Sequence, residues 1–329
     1  MSIKIAGTGS YIPERILTNA DLEKMVDTND EWIRTRTGIS ERHLAAPDQV
    51  TSDLGAEACR KALEAAGVDA SEVGAVIVAT CTPDYTFPST AANIHRKLQL
   101  NKAFWFDLSA ACCGFLSVLE TACGIMMANK KYRYVLAVGA EKLSTIVNWD
   151  DRSTCILFGD GAGAVLLENV DDGDNTGLIA SDMNTDGNWS EILKLPGGGS
   201  VNPPSERTIA EHLHGIHMQG QETFKLAVNA IVSACRNVEA EAGISIRDDV
   251  KLVIPHQANI RIIQAVAKRL DITDEQVIVN INRYGNTSAA SIAICFDEAV
   301  RTGRLQRGDL ALLASFGSGL VWGAQLIRY

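Results

Sequence analysis

The sequence predicts an α/β fold of two similar halves. Three observations carry that expectation: short apolar, β-branched runs alternate with helical stretches, two early segments resemble two late ones, and a loop-like stretch lies between them. The expected strands are Ala75 to Ala79, Tyr134 to Val138, Lys251 to Ile254, Val277 to Ile281 and Leu310 to Ala314. They read as strands buried on both faces rather than as half-exposed ones. Apolar residues at Phe115, Val118, Leu119, Ala122, Cys123 and Met126 predict a core-facing helix from Gly114 to Asn129, and Leu116 and Ile125 widen its apolar face. SEVGAVIVA followed by AANIHRKLQL resembles RDDVKLVIPHQANIRIIQAVAKRLDI, both reading strand, loop, Ala-Asn-Ile, helix, Leu. RYVLAVGAEKLS likewise parallels DLALLASFGSGL. The expected halves are residues 1–170 and 171–329, with 171–211, rich in Gly, Asp, Asn and Pro, read as a connecting loop region of the kind that often walls an active site.

At 329 residues and 46% hydrophobic composition the chain is long enough to bury one large core or two smaller ones. A formal net charge of −10 argues against nucleic acid or an anionic membrane as the main partner, because phosphate binding needs a net basic footprint. Any anionic partner must meet a local basic patch. The start, MSIKIAGTGSYIP, lacks the basic and apolar regions of a secretory signal, and no uninterrupted apolar run approaches the ~18 residues of a membrane span. A cytoplasmic protein is expected. Its eight cysteines show no CxxC pair and no disulfide-scaffold density, so most are expected to be small buried hydrophobes.

The segment FWFDLSAACCGFLSVL is the strongest exception. It reads as a strand ending near Leu108, a small-residue turn, then Cys112 and Cys113 opening the buried helix. A helix amino terminus stabilises a thiolate, so a lowered pKa is expected there, although this physics does not choose between the two thiols. His256 follows the apolar strand KLVIP and opens the next helix, a setting that favours a neutral ring able to donate one hydrogen bond. Asn286 lies in NRYGNTSAAS, a glycine turn after another expected strand. Each of the three follows a separate strand, as residues converging on one site at the strand ends would. His212, His214 and His217 have HxHxxH spacing without a nearby Cys or carboxylate set, so no metal site is expected. FGDGAGA and FGSGL lack phosphate-loop patterns; tight backbone packing is expected of both, and an oxyanion-hole N–H of the second.

Together AACCGF around Cys112, HQAN at His256 to Asn259, YGNTSAAS, FGDGAGA, the terminal FGSGLVWG and the early NDEWIRTRTGISER resemble β-ketoacyl-acyl-carrier-protein synthase III, of the thiolase superfamily. These motifs run from Trp32 to Gly323, nearly the whole chain. The resemblance implies a thiolase-like five-layer α-β-α-β-α fold from two duplicated halves, a homodimer, and decarboxylative condensation of a short acyl-CoA, expected to be acetyl-CoA, with malonyl-acyl-carrier protein at the start of fatty acid biosynthesis. It implies Cys112 rather than Cys113 as nucleophile, with His256 and Asn286 donating to the malonyl thioester carbonyl and the backbone N–H groups of Cys112 and Ser318 forming the oxyanion hole. It implies no cofactor, acyl-CoA being a substrate.

By the same resemblance Trp32 and Arg152 sandwich the CoA adenine, Thr28, Arg36, Gly220, Phe224, Asn259 and Arg261 follow the CoA tunnel, and Phe87 closes the acyl pocket of the partner subunit. Arg261, Lys268, Arg269 and Lys225 are candidates for the basic patch that an acidic carrier protein needs. Ser318 departs from the family's usual glycine, which puts the φ/ψ of that loop in question. Asn286 argues against a thiolase, which has a second cysteine there, and against a hydroxymethylglutaryl-CoA synthase. A starter-unit condensing enzyme of secondary metabolism, a Cys-His-Asn thioesterase and a catalytically silent binding protein stay open.

Overall fold

The computed structural model describes residues 2–170 and 176–329. Its main strands are β1 (Ser2–Tyr11), β2 (Val73–Ala79), β3 (Phe104–Leu108), β4 (Tyr134–Glu141), β5 (Gly161–Val170), β6 (Gly177–Thr185), β7 (Leu252–Pro255), β8 (Leu310–Gly317) and β9 (Val321–Arg328). They run side by side in the order β7-β8-β9-β6-β1-β5-β4-β2-β3. The seam between β6 and β1 is a single residue pair, Ile3 with Gly177. On either side of it the pattern is the same. β1/β5 and β5/β4 are antiparallel and β4/β2 and β2/β3 parallel; β6/β9 and β9/β8 are antiparallel and β8/β7 parallel. The segments that resemble one another in sequence hold equivalent places, β2 with β7 and β4 with β8.

After a first helix, α1 (Asp30–Thr37), helices cover both faces of each strand set. Leu54, Ala58 and Ala62 of α2 (Thr51–Ala66) and Ile94 of α3 (Thr90–Leu98) pack on Val76, Val78, Leu136 and Val138. The residue between two outward-facing valines, Ile77, points the other way, as the period of two along a strand requires. There it meets a central layer formed by α4 (Gly114–Ala128) and α7 (Ala290–Arg301), whose Phe115, Leu119, Ile292 and Phe296 also touch Leu252, Ile254, Leu313 and Ile327 of the second set. On the far side α5 (Gly220–Ala242) and α6 (Ile260–Leu270) seat Ile231, Val238, Val266 and Leu270 against Val253, Leu312 and Leu326. The result is the five-layer α-β-α-β-α fold that the sequence led one to expect. Each large apolar side chain so enclosed contributes about 1.5–3 kcal/mol, and the central helices draw on both strand sets.

The FGDGAGA segment permits that central packing: a Cβ at Gly163 would stand 2.5 Å from Ala293 Cβ, so β5 reaches α7 only because the side chain is missing. Two expectations need correction. Val277 to Ile281 is not a strand; Val277 makes only a parallel bridge to Val253, and Ile281–Tyr284 turns into a short helix. Within 171–211, residues 171–175 lie outside the described residues, and Gly177–Thr185 is a full strand paired along Val321–Arg328. Its partly exposed residues and polar Ser181, Asp182 and Asn184 hid it among loop-like neighbours. Ala111–Ala128, although Ser117, Glu120 and Thr121 interrupt its apolar run, is long and apolar enough by length and composition to cross a membrane. In this fold that segment packs between the strand sets.

Candidate active site

β3 ends at Leu108 and the chain turns sharply before α4, with Ala111 at φ 45°, a left-handed conformation that is costly for a residue bearing a Cβ. This turn presents Cys112 to a cavity of about 1090 Å³, whereas Cys113 is fully buried behind it. The backbone of the turn is held from β8: the Ser315 hydroxyl donates to the Cys112 carbonyl at 2.8 Å, and a Cβ at Gly317 would meet the Cys112 nitrogen at 2.8 Å. Only glycine allows so close an approach.

The thiol titrates opposite to expectation. Burial pushes Cys112 up to about 11, with the hydrogen bond to the Ser288 hydroxyl opposing the rise and the Glu141 carboxylate adding to it. Desolvation of a thiolate outweighs the helix terminus, so the resting group is a neutral thiol.

His256 leaves β7 fully enclosed, and burial depresses its pKa to about 3, so the ring is neutral. Its Nδ1 lies 2.6 Å from the Ser291 hydroxyl, while Nε2 is buried without a hydrogen-bond partner. Ser291 Oγ accepts from the Gln257 N–H at 3.4 Å. With the Ser291 hydroxyl donating to Nδ1, the neutral ring carries its proton on Nε2, the nitrogen left free. Asn286 is positioned by the start of FGDGAGA and the residue before it: its N–H donates to the Leu157 carbonyl at 2.8 Å and its carbonyl accepts from the Gly159 N–H at 3.0 Å. Its side-chain Oδ1 accepts from the Ser288 N–H at 2.8 Å, which leaves the amide NH₂ as the free end.

Cys112, His256 and Asn286 therefore line one cavity. One short segment ties them together, since Ser288 touches Cys112 Sγ at 3.5 Å and Ser291 touches His256. Sequence reasoning passed over both serines, which read as small residues at a helix start. It also passed over Glu141, a lone carboxylate closing the otherwise apolar run YVLAVGAE, and that contrast was the available signal. Ser318 lines the cavity with an ordinary negative-side φ, since it is absent from the left-handed residues, so its backbone does not require the family's glycine.

Trp32, Arg36, Arg152, Gly220, Phe224, Lys225, Asn259 and Arg261 also line the cavity. Arg152 lies 5.3 Å from the Trp32 ring centre and donates to the Asp27 carbonyl at 2.8 Å. A flat base between them needs about 7 Å, two contacts of roughly 3.5 Å, so Arg152 must swing aside to admit one. Asn259 is the N-cap of α6: its Oδ1 accepts from Arg261 N–H at 2.9 Å and its Nδ2 donates to the Arg36 carbonyl at 3.0 Å. Thr28, Phe87, Lys268 and Arg269 are not on the cavity wall. Thr28 Oγ1 is buried without a partner. Phe87 is 84% exposed. Arg269 donates to Asn229 at 2.6 Å and Lys225 pairs with Glu222 at 3.3 Å. Of the three histidines with HxHxxH spacing, His214 is hydrogen-bonded to Thr208 at 3.0 Å.

Residues 106–187 match the family 3-oxoacyl-[acyl-carrier-protein] synthase III, and residues 240–329 match the family of its C-terminal region. A curated relative, the β-ketoacyl-[acyl-carrier-protein] synthase III of Desulfitobacterium hafniense, is 49% identical over 329 residues, 100% of this chain and 98% of its own length. The chain belongs to the β-ketoacyl-[acyl-carrier-protein] synthase III family. Solved members of this synthase family share its architecture. The 3-oxoacyl-[acyl-carrier-protein] synthase III of Aquifex aeolicus VF5 superposes with a TM-score of 0.92 at 45% identity, covering 100% of both chains. That of Pseudomonas aeruginosa PAO1 gives 0.91 at 37% identity, covering 100% of this chain and 98% of its own. The family resemblance and the thiolase-like fold expected from the motifs are thus both met.

Proposed function

We infer that the chain is a β-ketoacyl-[acyl-carrier-protein] synthase III, an acyltransferase that joins a short acyl-CoA to malonyl-acyl-carrier protein and so begins fatty acid biosynthesis. The observation that carries this reading is the shared cavity wall of Cys112, His256 and Asn286, tied by the segment from Asn286 to Ser291. Cys112 Sγ attacks the acyl-CoA carbonyl, and the oxyanion is held by the backbone N–H groups of Cys112 and Ser318. CoA leaves, and the acyl group stays on sulfur. The malonyl thioester oxygen then accepts from His256 Nε2–H and Asn286 Nδ2–H. These neutral donors stabilise the enolate that forms as carbon dioxide departs, and its carbon attacks the acyl-Cys112 carbonyl. Loss of carbon dioxide supplies the carbanion without a strong base, a metal or a cofactor.

Trp32 and Arg152 are the pair we assign to the CoA base, with Arg36, Gly220, Phe224 and Arg261 along the way and Asn259 setting the α6 terminus. Thr28, off the cavity wall with its hydroxyl buried, is kept as a CoA contact on the family resemblance alone. Lys225 and Arg261 on the cavity wall, with Lys268 and Arg269 further along α6, form the patch assigned to the carrier protein. A homodimer accounts for Phe87, 84% exposed, as the side chain that closes the partner's acyl pocket; Phe104 and Trp105 on the edge strand β3, 51% and 40% exposed, would be covered by the same contact. Residues 1–170 and 171–329 are the two units of each subunit, and the eight free cysteines suit a cytoplasmic enzyme.

Incubation with labelled acetyl-CoA and malonyl-acyl-carrier protein is expected to give a labelled β-ketoacyl-carrier product with a new carbon–carbon bond. Free acetate as the sole labelled product contradicts this reading and supports hydrolysis. Comparing kcat/KM across acetyl, branched and longer acyl-CoA primers in the same assay identifies the preferred substrate.

A further inference from the structure

Gln257, the second residue of HQAN, is 1% exposed, and the chemistry described so far gives its side chain no part. That side chain reaches from the end of β7 to residues 277–281. Nε2 donates to the Pro255 carbonyl at 2.8 Å and to the Ile278 carbonyl at 3.3 Å, while Oε1 accepts from the Asn280 N–H at 3.0 Å and the Ile281 N–H at 3.1 Å. Two backbone carbonyls at one end and two backbone N–H groups at the other fix the orientation of the amide and use all of its hydrogen-bonding capacity. The same contacts account for the expected strand that does not form. Val277 bridges to Val253, and the Ile278 N–H donates to the Val253 carbonyl at 3.1 Å. From there the Gln257 amide takes the Ile278 carbonyl and the Asn280 and Ile281 N–H groups, which a strand would have turned towards a neighbouring strand.

This clamp leads to Asn286. The Ile281 N–H is held by Gln257, the Ile281 carbonyl accepts from the Gly285 N–H at 2.9 Å, and Gly285, at φ 65°, turns the chain into Asn286. A Cβ at Gly285 would stand 2.8 Å from the Leu157 carbonyl, the group that accepts from the Asn286 N–H, so the turn is confined on that side too. Asn286 is thus fixed from Leu157 and Gly159 on one side and, through the short helix Ile281–Tyr284, from Gln257 on the other. His256 directly precedes Gln257, so one dipeptide carries the first donor and the anchor for the segment that bears the second. Two donors that converge on one thioester oxygen need a fixed separation, because a displacement of about 1 Å can cost roughly 10²-fold in rate.

We propose that Gln257 is a positioning residue that sets Asn286 against His256 for the malonyl half-reaction. The proposal rests on the reading of those two residues as donors to the malonyl thioester carbonyl. Acylation of Cys112 is separate, because the donors assigned to its oxyanion are main-chain groups and the Cys112 backbone is held by Ser315 of β8. The Gln257 N–H, which donates to Ser291 Oγ behind His256, is backbone and survives any change of the side chain.

Two reactions of the full-length protein test this: decarboxylation of malonyl-acyl-carrier protein, and single-turnover acylation by saturating acetyl-CoA read by intact mass. Both are measured in the wild type, Gln257→Ala, Gln257→Asn, Asn286→Ala and the double variant Gln257→Ala/Asn286→Ala. Gln257→Ala is expected to slow decarboxylation about 10- to 100-fold and to keep acylation within about threefold of the wild type. Gln257→Asn retains an amide in the buried space but is one methylene too short to span it; the same split is expected, and this variant carries the test if Gln257→Ala fails to fold. In the Asn286→Ala background the loss of Gln257 is expected to cost less than about twofold more, since the group it positions is gone. Wild-type decarboxylation in the Gln257 variants overturns the proposal, as does a loss of acylation in proportion to decarboxylation, which marks general damage to the cavity. A full additional loss in the double variant also overturns it, because Gln257 then acts other than through Asn286. Unchanged decarboxylation in Asn286→Ala instead removes Asn286 as a donor, and the proposal falls with it.

Discussion

Cys112→Ser is expected to lower condensation turnover by at least about a thousandfold while the protein stays folded. Serine nearly matches cysteine in volume, and Ser315 and Gly317 hold the backbone rather than the side chain, so the turn keeps its shape. What changes is the nucleophile: an alcohol ionises far less readily than a thiol, in a site where even the thiol is already held up at about 11. Steady-state assay with acetyl-CoA and malonyl-acyl-carrier protein measures the loss, and thermal melting within a few degrees of the wild type shows that it is chemical. The donors at His256 and Asn286 are untouched by the change. Decarboxylation of malonyl-carrier protein should therefore persist in this variant, and its disappearance would argue that the three residues do not divide the work as described.

His256→Ala should split the half-reactions the other way. Acylation of Cys112 continues, because its oxyanion donors are main chain, whereas condensation falls about 10²- to 10³-fold, the effect of removing one preorganised donor from a developing enolate. Because burial holds the imidazole neutral down to about pH 3, wild-type condensation should show no inflection near 6.5 from this residue. The same depression has a stability consequence whose sign follows from linkage. Below pH 6.5 the unfolded chain binds a proton on His256 that the native state refuses until about 3, so stability falls as pH drops across that window, by about 1.4 kcal/mol per pH unit for this one proton. Urea unfolding between pH 6.5 and 4 should show a shallower acid slope in His256→Ala than in the wild type.

The motifs around Cys112 and His256 were legible because each joins a reactive residue to a strand end and a helix start, and that around Asn286 through its glycine turn, although a short helix and not the expected strand precedes it. The helix from Gly114 was legible because its apolar spacing is unbroken. Strands β1, β5 and β9 were not, because glycines such as Gly163 and Gly323, needed for close packing, thin out the β-branched signal. The titration of Cys112 was misread for a different reason. A helix terminus is visible in sequence, but the depth of burial that opposes it is a property of five stacked layers. Ser288 and Ser291 matter only through contacts across the fold, Cys112 to Ser288 spanning 176 residues of chain, and no local pattern announces them.

Peptide mapping of the protein after brief exposure to acetyl-CoA alone, and again after a chase with malonyl-acyl-carrier protein, tests the central assignment most directly. The predicted result is an acyl group on the peptide containing Cys112, lost in the chase as the β-ketoacyl product appears. An acyl group on another residue, or a product formed while Cys112 stays unmodified at every time point, would contradict it.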